Sequence, residues 1–368
     1  MIRAIRLMTF ACSLLAVFTL LGVAIACGAE TERGDSPLAK LAASMPPGSW
    51  AELQTEMPEG LWRSPLVDGG RNNGGSGGLH IAGWTDDAHW DSKTGQFLYM
   101  GLRQTRQFIA YSEEKNAWRV IELDRDSDNP CFLSRFGHIY SSNGFDPQRS
   151  RFYHRYNSYS NEKKGVDLTG GVSYFDTTTE KWTKLPPIPA DSTFTGMAIE
   201  YFSALDGVLI LGPQAWFFSN ARQKWEPLGP CPVDGYHSLV RHNPFRNEVL
   251  MAGGNHNRRT VARLKADGTI ERLKDFPTDL GVQSDKITID PATGRYLIQA
   301  GNKNEPKQLY EFDSDQNTYR IVDAFTAGWP FTRYDMPVCA FIPEYNVSMW
   351  ADSRGMFLYR HASLEQSP

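Results

Sequence analysis

The clearest pattern along the chain is a pair of short alternating segments in residues 171–189. The first segment alternates around Val172, Tyr174 and Asp176, and after a polar turn the second contains Trp182 and Leu185 and ends at prolines. Alternation with a period of two residues predicts a β-hairpin. Because a lone hairpin is only marginally stable in water, the pattern also predicts neighbouring strands.

The same spacing recurs along the chain, which indicates internal repeats. Further copies of the hairpin begin at Tyr111, Phe218, Leu264 and Phe312. A second recurring unit consists of an apolar strand, a tight turn and another apolar strand. Its copies begin at Trp90, Phe145, Ser203, Asn243, Asp290 and Pro343. Four short strands in each repeat are the content of one blade of a β-propeller.

The two ends of the chain are predicted to form the sixth blade together. The last repeat reaches His361 after three strands, and the Trp-x-x-Leu pattern of a fourth strand stands instead near the N-terminus, at Trp50 and Leu53. A strand there would close the ring and leave no open sheet edge. The sequence therefore predicts an all-β fold, a six-bladed β-propeller whose last blade is closed by this N-terminal strand.

Three features of the repeats resemble the kelch family. They are the Gly-Gly pair that begins at Gly253, the spacing from Tyr174 to Trp182, and the Leu-Pro pair at Leu185. The resemblance extends over residues 50–361 and implies an exported bacterial member of the kelch-type propellers. It implies a fold more firmly than it implies an activity.

The N-terminal segment has the layout of a secretory signal peptide. Arg3 and Arg6 precede an apolar run over residues 7–26, and Cys27 follows directly. The segment also resembles a bacterial lipoprotein signal, in which the cysteine is lipidated. An unlipidated exported protein and a lipid-anchored one stay open as alternatives, and the expected location is periplasmic, cell-surface, envelope-anchored or secreted.

These features divide the chain into four parts. We expect a signal peptide at 1–26, a flexible leader or lipoprotein tether at 27–48, the propeller at 49–362 and a C-terminal tail at 363–368. With 38 basic and 42 acidic residues, the net charge of −4 gives no electrostatic case for binding nucleic acid. No later apolar run approaches membrane-spanning length, so the expected membrane contact is limited to a lipid at Cys27.

Propeller geometry sorts the connections between two ends of the molecule. Connections between blades, and those between second and third strands, gather at one end, which we call the loop-rich end. The remaining turns gather at the other end, the turn end. They are short and are formed by pairs such as Asp146-Pro147 and Asp290-Pro291, so no function is predicted for them.

Charged and aromatic side chains concentrate at the loop-rich end. The candidate ligand-binding residues there are Trp84, Arg135, Asn255, His256, Arg258, Asp285, Asn302, Lys303, Arg333 and Asp335. The candidate catalytic residues are His138, Tyr236, His237 and Tyr334.

These residue types suit an anionic saccharide. Arginine and lysine bind carboxylate or sulfate, whereas tyrosine and tryptophan offer flat apolar faces to sugar rings. Histidine and aspartate transfer protons or, where they converge, hold a metal. The alternative for each residue is that it stabilises the ring by bonding to a neighbouring strand.

Three functions are compatible with this end of the molecule. The first is a binding module for a glycan or a protein, and the second is a carbohydrate-active enzyme, either a polysaccharide lyase or a sugar epimerase. The third is a copper-radical oxidase, because Tyr236 and His237 resemble a segment of the galactose and glyoxal oxidases. A second tyrosine paired with a cysteine is missing from that pattern, and the sequence defines no cofactor or metal ligand set.

Overall fold

A computed structural model of the chain describes residues 34–63, 80–82, 85, 88–101, 107–123, 140–156, 159–161, 166–168, 171–189, 198–233, 237–282, 285–301, 307–322, 328–331 and 337–362. The predicted signal peptide, with Cys27, and the C-terminal tail lie outside these ranges and stay predictions. Within the described ranges, no helix has the length and hydropathy needed to cross a membrane.

The chain forms six four-stranded antiparallel sheets, the blades. The first strand of the chain is β1 (Ser49–Leu53). From the innermost strand outwards, blade 1 contains β2 (Ala88–Asp91), β3 (Gln96–Gly101), β4 (Gln107–Ser112) and β5 (Ala117–Ile121). Blade 2 contains β6 (Asn143–Asp146), β7 (Arg151–Tyr156), β10 (Gly171–Asp176) and β11 (Lys181–Lys184). Blade 3 contains β12 (Ile199–Phe202), β13 (Gly207–Ile210), β14 (Gln214–Ser219) and β15 (Lys224–Pro230).

Blades 4 to 6 repeat this order, except that the last blade takes its outermost strand from the N-terminal part of the chain. Blade 4 contains β16 (Ser238–Asn243), β17 (Glu248–Gly253), β18 (Val261–Lys265) and β19 (Ile270–Arg272). Blade 5 contains β20 (Lys286–Ile289), β21 (Tyr296–Ala300), β22 (Gln308–Asp313) and β23 (Thr318–Val322). Blade 6 contains β24 (Val338–Ile342), β25 (Val347–Asp352), β26 (Gly355–Arg360) and β1. A small hairpin of β8 (Tyr159–Asn161) and β9 (Val166–Leu168) lies in the connection between β7 and β10.

The innermost strands form a closed ring. Each of β2, β6, β12, β16, β20 and β24 contacts the next one, and β24 contacts β2. The chain is therefore a six-bladed β-propeller. Its apolar core lies between neighbouring blades, as where Tyr153 and Val172 of blade 2 pack in one cluster with Ile199 and Val208 of blade 3.

The predicted closure of the ring by an N-terminal strand is confirmed. Strand β1 pairs antiparallel with β26, from Ser49 opposite Arg360 to Leu53 opposite Met356. The Trp50 ring stacks on the Tyr359 ring at 4.6 Å and meets the Trp329 ring edge-on at 4.9 Å. Because β1 covers the outer edge of β26, this edge is not open to another chain.

The structure differs from the sequence-based prediction in part of the leader. Within the segment 27–48, predicted to be flexible, helix α1 (Pro37–Ser44) packs Leu38 and Ala42 into the cluster that joins the first and last blades. Ser36 caps the helix, since its Oγ accepts a hydrogen bond from the Ala39 amide at 3.0 Å. Two apolar residues one turn apart are too short a pattern to predict, although they suffice once a core is present to receive them.

Candidate functional site

Five of the predicted site residues lie in the described part of the chain. They are His237, Asn255, His256, Arg258 and Asp285, which belong to blades 4 and 5 and lie at the loop-rich end. The other nine lie outside the described residues and stay predictions: Trp84, Arg135, His138, Tyr236, Asn302, Lys303, Arg333, Tyr334 and Asp335.

His237 directly precedes the innermost strand of blade 4 and is held from three sides. Its Nδ1 lies 2.8 Å from the Asn255 Oδ1, and its ring meets the Tyr140 ring edge-on at 5.3 Å. Its carbonyl oxygen accepts a hydrogen bond from the Val282 amide at 3.1 Å. Its φ of 71° lies in the left-handed region, where a non-glycine residue stores strain that is found most often at functional positions.

Arg258 lies beside His237. The guanidinium Nη2 and the His237 Cβ both pass close to Gly281, where a Cβ would lie 3.7 Å and 3.5 Å from them respectively. Burial, together with the positive charge of Arg258, lowers the pKa of His237 below its usual value. Within the described ranges the half-buried Arg258 guanidinium forms no ion pair. A cation without a carboxylate partner, beside a neutral histidine and an amide, is suited to an anionic ligand.

Asp285 was predicted to contact a ligand, and the structure gives both of its oxygens protein partners. Oδ2 accepts a hydrogen bond from the Gly281 amide at 2.7 Å, and Oδ1 accepts one from the Lys307 Nζ at 2.9 Å. Burial raises its pKa, and the charge of Lys307 opposes that rise. Asp285 thus fixes the segment beneath Arg258, and its contact with a ligand stays a prediction. His256 and Asn255 are exposed to solvent.

Side chains cross the channel between the two ends. The inner edge of each innermost strand has backbone groups without a partner in its own sheet, and in a buried channel these groups need side-chain partners. The Arg241 Nε donates to the Ile287 carbonyl at 3.1 Å, and its Nη1 donates to the Ala88 carbonyl at 3.2 Å. The Lys286 Nζ donates to the Thr85 carbonyl at 2.8 Å. These bonds join blades 4, 5 and 1 and stabilise the ring.

A cavity of about 400 Å³ opens at the turn end, where no function was predicted. Its lining includes the turns between first and second strands, which contribute Ser92, Pro147, Pro244, Phe245 and Pro343. Four residues of the innermost strands form its polar floor: His89, Glu200, Arg241 and His242. We call this space the turn-end cavity.

The floor of the turn-end cavity combines buried histidines, a buried glutamate and a buried arginine, whose pKa values shift in different directions. Burial, with the charge of Arg241, holds the pKa of His89 well below its usual value and lowers the pKa of His242 to about 3. Burial raises the pKa of Glu200 to about 7, although the charge of Arg241 opposes this shift. Both histidines are therefore neutral at pH 7, and Arg241 is the permanent charge of the floor.

The sequence contains a signal for this cavity that pattern analysis missed. Three innermost strands carry ionisable residues that line this cavity: β2 carries His89, β12 carries Glu200, and β16 carries Arg241 and His242. Ionisable residues inside such strands indicate a channel lining. Their burial and convergence depend on the ring, which no local pattern describes.

A metal centre finds no support in the described part of the chain. No group of three histidine, cysteine, aspartate or glutamate side chains converges there closely enough to hold a metal ion. Tyr236, which with His237 forms the pair that resembles the copper oxidases, lies outside the described residues.

Comparison with known proteins supports the fold alone. No protein-family model and no curated protein matches the sequence. A structural genomics protein of unknown function from Bacteroides thetaiotaomicron superposes with a TM-score of 0.54 at 10% identity, over 84% of this chain and 75% of that chain. A fungal alcohol oxidase of the AA5 family in complex with copper gives a TM-score of 0.46 at 9% identity, over 77% and 75% of the two chains. A nidogen/laminin complex gives 0.44 at 11% identity, over 71% and 86%.

Proposed function

We propose that this protein is a kelch-type propeller that binds an anionic saccharide at its loop-rich end. The observation that carries the proposal is Arg258, a half-buried cation without an ion-pair partner in the described part of the chain, held next to His237 and Asn255. A guanidinium forms strong charge-assisted hydrogen bonds with a carboxylate or a sulfate.

The surroundings of Arg258 support the same ligand class. His237 and Asn255 are fixed by their mutual hydrogen bond of 2.8 Å, so they offer hydrogen-bonding groups to sugar hydroxyls in one geometry. The buried ring of Tyr140 packs edge-on against the His237 ring and helps to fix its position. Asp285, the carboxylate beneath this surface, is ion-paired with Lys307 at 2.9 Å and not with Arg258.

Calorimetric titration with a panel of oligosaccharides tests the proposal. We expect a hexuronate oligosaccharide to bind and a neutral hexose oligosaccharide of equal length to bind at least about tenfold more weakly, because only the uronate forms charge-assisted bonds with Arg258. Arg258→Ala is expected to weaken uronate binding by about tenfold or more.

Arg222→Ala is the matched control for this titration. Arg222 is an exposed arginine near the turn after β14, at the other end of the molecule, and it is ion-paired with Glu226. Its loss changes the net charge equally and should leave uronate binding unchanged. Equal weakening by the two variants, or equal binding of the charged and neutral oligosaccharides, would show that Arg258 does not recognise the ligand.

A further inference from the structure

The turn-end cavity has the size and lining of a small-molecule site. Its volume of about 400 Å³ lies within the usual range of ligand pockets. Its walls are mostly apolar, and the aromatic side chains of Trp90, Phe145, Phe245 and Phe341 contribute to them. These residues come from blades 1, 2, 4 and 6, so the closed ring forms the cavity. It lies at the opposite end of the molecule from Arg258 and is independent of the proposed saccharide site.

The rim of the turn-end cavity presents an aromatic residue that the protein holds exposed. Phe245 is 43% exposed, and its ring lies 5.9 Å from that of Phe341. Its turn is anchored to blade 5, since the Asn243 Nδ2 and the Arg246 Nε both donate to the Gly294 carbonyl, at 2.8 and 2.9 Å. A side chain at Gly294 would collide with Phe245, because its Cβ would lie 2.9 Å from the Phe245 Cβ. An exposed aromatic held by this many contacts is suited to cover a flat apolar group.

The ionisable groups beneath the cavity are bonded within the protein, with one exception. Arg241 is 2% exposed and is bonded to carbonyl oxygens of blades 5 and 1. The two Glu200 oxygens accept hydrogen bonds from the backbone amides of Tyr201 and His242, at 2.9 and 3.1 Å. The His242 Nε2 lies 3.0 Å from the Ser203 Oγ. An ionised ligand would lose its hydration in this apolar space and would find these groups already bonded, so the cavity favours an uncharged ligand.

The exception is His89, which has a ring nitrogen without a hydrogen-bond partner. His89 lines the cavity and is 6% exposed, and its Nε2 has no partner in the described part of the chain. Its ring stacks on that of Phe145 at 6.1 Å, so the nitrogen belongs to an aromatic wall. A buried polar atom without a partner costs stability, and a bound molecule is one way to satisfy it.

The bond of the other ring nitrogen determines which group the His89 Nε2 can bind. Burial lowers the pKa of His89, and a hydrogen bond to the Asn143 backbone opposes this shift. A bond that favours the protonated ring runs from an imidazole N–H to a carbonyl oxygen. Because Nε2 has no partner, this donor is Nδ1. The Nε2 of the neutral ring is therefore an acceptor, and its partner must carry an O–H or N–H group.

We propose that the turn-end cavity binds a small, uncharged, flat aromatic molecule with one hydrogen-bond donor, which packs on Phe245 and donates to the His89 Nε2. Two fused rings with an N–H group, as in indole, have this chemistry. The apolar body and the absence of charge distinguish this ligand from the saccharide proposed for the loop-rich end.

Ligand-observed NMR on the purified full chain at pH 7 tests this proposal with matched probes. Indole has the flat body and the donor, and benzofuran has the same shape with an oxygen in place of the N–H group. Indole-3-acetate carries a negative charge, and indole-3-acetamide is its uncharged counterpart of the same size. We expect indole to bind, and benzofuran to bind at least about fivefold more weakly because it cannot donate. We expect the acetate to bind at least about tenfold more weakly than the amide.

Three results would overturn the proposal. Absence of indole binding would remove the site. Equal binding of indole and benzofuran would show that no donor is recognised. Binding of indole-3-acetate at least as tightly as indole would show that the cavity accepts a charge.

Two variants locate the binding site of the probe. Phe245→Ala should weaken indole binding by about fivefold or more, whereas Ile321→Ala, at an equally apolar residue that is 59% exposed on β23, should leave it unchanged. Equal effects of the two would overturn the assignment. Arg258→Ala should leave indole binding intact, so the two proposed sites fail or succeed separately.

His89→Phe tests the acceptor directly, because it keeps a flat ring and removes the nitrogen. If the variant folds, as judged by its circular dichroism, it should bind indole and benzofuran equally, and a retained fivefold preference for indole would overturn the role of His89. If it does not fold because the bond to Asn143 is lost, the comparison of indole with benzofuran on the unmodified protein still decides whether a donor is recognised.

Discussion

At the scale of single residues, the channel of this propeller contains ionisable groups that are buried in their neutral forms. His242 is 7% exposed, and its Nε2 lies 3.0 Å from the Ser203 Oγ. Its pKa is lowered from 6.5 to about 3, first by burial and then by the charge of Arg241. The folded protein therefore binds fewer protons at this residue than the unfolded chain does, between those two values.

The sign of this shift predicts how stability changes with pH. The contribution of His242 is fully present above pH 6.5 and is lost as the pH falls towards about 3. As the pH falls through this range, the free energy of unfolding decreases by at most about 1.4 kcal/mol per pH unit because of this residue. Glu200 acts in the opposite direction, because its raised pKa removes stability as the pH rises from 4.5 to about 7.

We predict that His242→Gln flattens the loss of stability on acidification. The glutamine keeps a hydrogen-bonding group near Ser203 but does not titrate, and Glu200 is present in both proteins, so the difference between them isolates the histidine. Urea denaturation at several pH values between 6.5 and 4.5 measures the slopes. His256→Gln, at an exposed residue, is the control. Parallel slopes for the unmodified protein and His242→Gln would contradict the prediction.

At the scale of elements, the strand that closes the ring is held to its blade by non-covalent contacts alone. Strand β1 contributes Trp50, whose ring lies between those of Tyr359 and Trp329. The other outermost strands follow directly from the strand beside them, whereas β1 is distant in sequence from β26. Loss of the Trp50 contacts should therefore weaken the pairing of β1 with β26 before it affects the other blades.

We predict that Trp50→Ala lowers the free energy of unfolding by about 2–4 kcal/mol and speeds amide hydrogen exchange in β1 and β26. Trp225→Ala is the matched control, because Trp225 also lies on an outermost strand and packs on Phe218 at 5.3 Å. That variant should lose stability but leave β26 protected. Unchanged exchange in β26 of Trp50→Ala would show that closure does not depend on this side chain.

Local patterns were sufficient to predict the strands and their grouping, for a physical reason. Trp182 alternates with Lys181 and Thr183 because the outermost strand β11 is only partly buried, and this regularity is visible in sequence. Helix α1 was missed because it is short, with eight residues of which Leu38, Ala39 and Ala42 are buried. The partners of Asp285 were missed because Lys307 is distant in sequence, directly before β22, and only the folded chain brings the two together.

For three described candidates, the sequence predicted the end of the molecule but not the contacts. The order of strands assigned His237, Asn255 and Arg258 to one end, and the structure brings these three together. The sequence does not show that Arg258 lacks an acidic partner among the described residues or that Asn255 fixes the His237 ring. The turn-end cavity was missed because its turns are short, and short turns are usually only structural.

At the scale of the whole molecule, ring closure gives the propeller two distinct ends separated by a crossed channel. Between these ends, Arg241 and Lys286 donate hydrogen bonds to carbonyl oxygens of other blades. The loop-rich end has an exposed polar surface around Arg258, and the turn end has an apolar cavity above Arg241. The two ends therefore suit ligands of different chemistry.

The most direct test of the central claim, saccharide binding at the loop-rich end, is a crystal structure of the protein with a bound hexuronate oligosaccharide. We predict electron density for the oligosaccharide at that end, with a carboxylate within hydrogen-bonding distance of the Arg258 guanidinium and a sugar ring near His237. Density for the oligosaccharide at the turn end or on the outer strands, with none beside Arg258, would contradict the account.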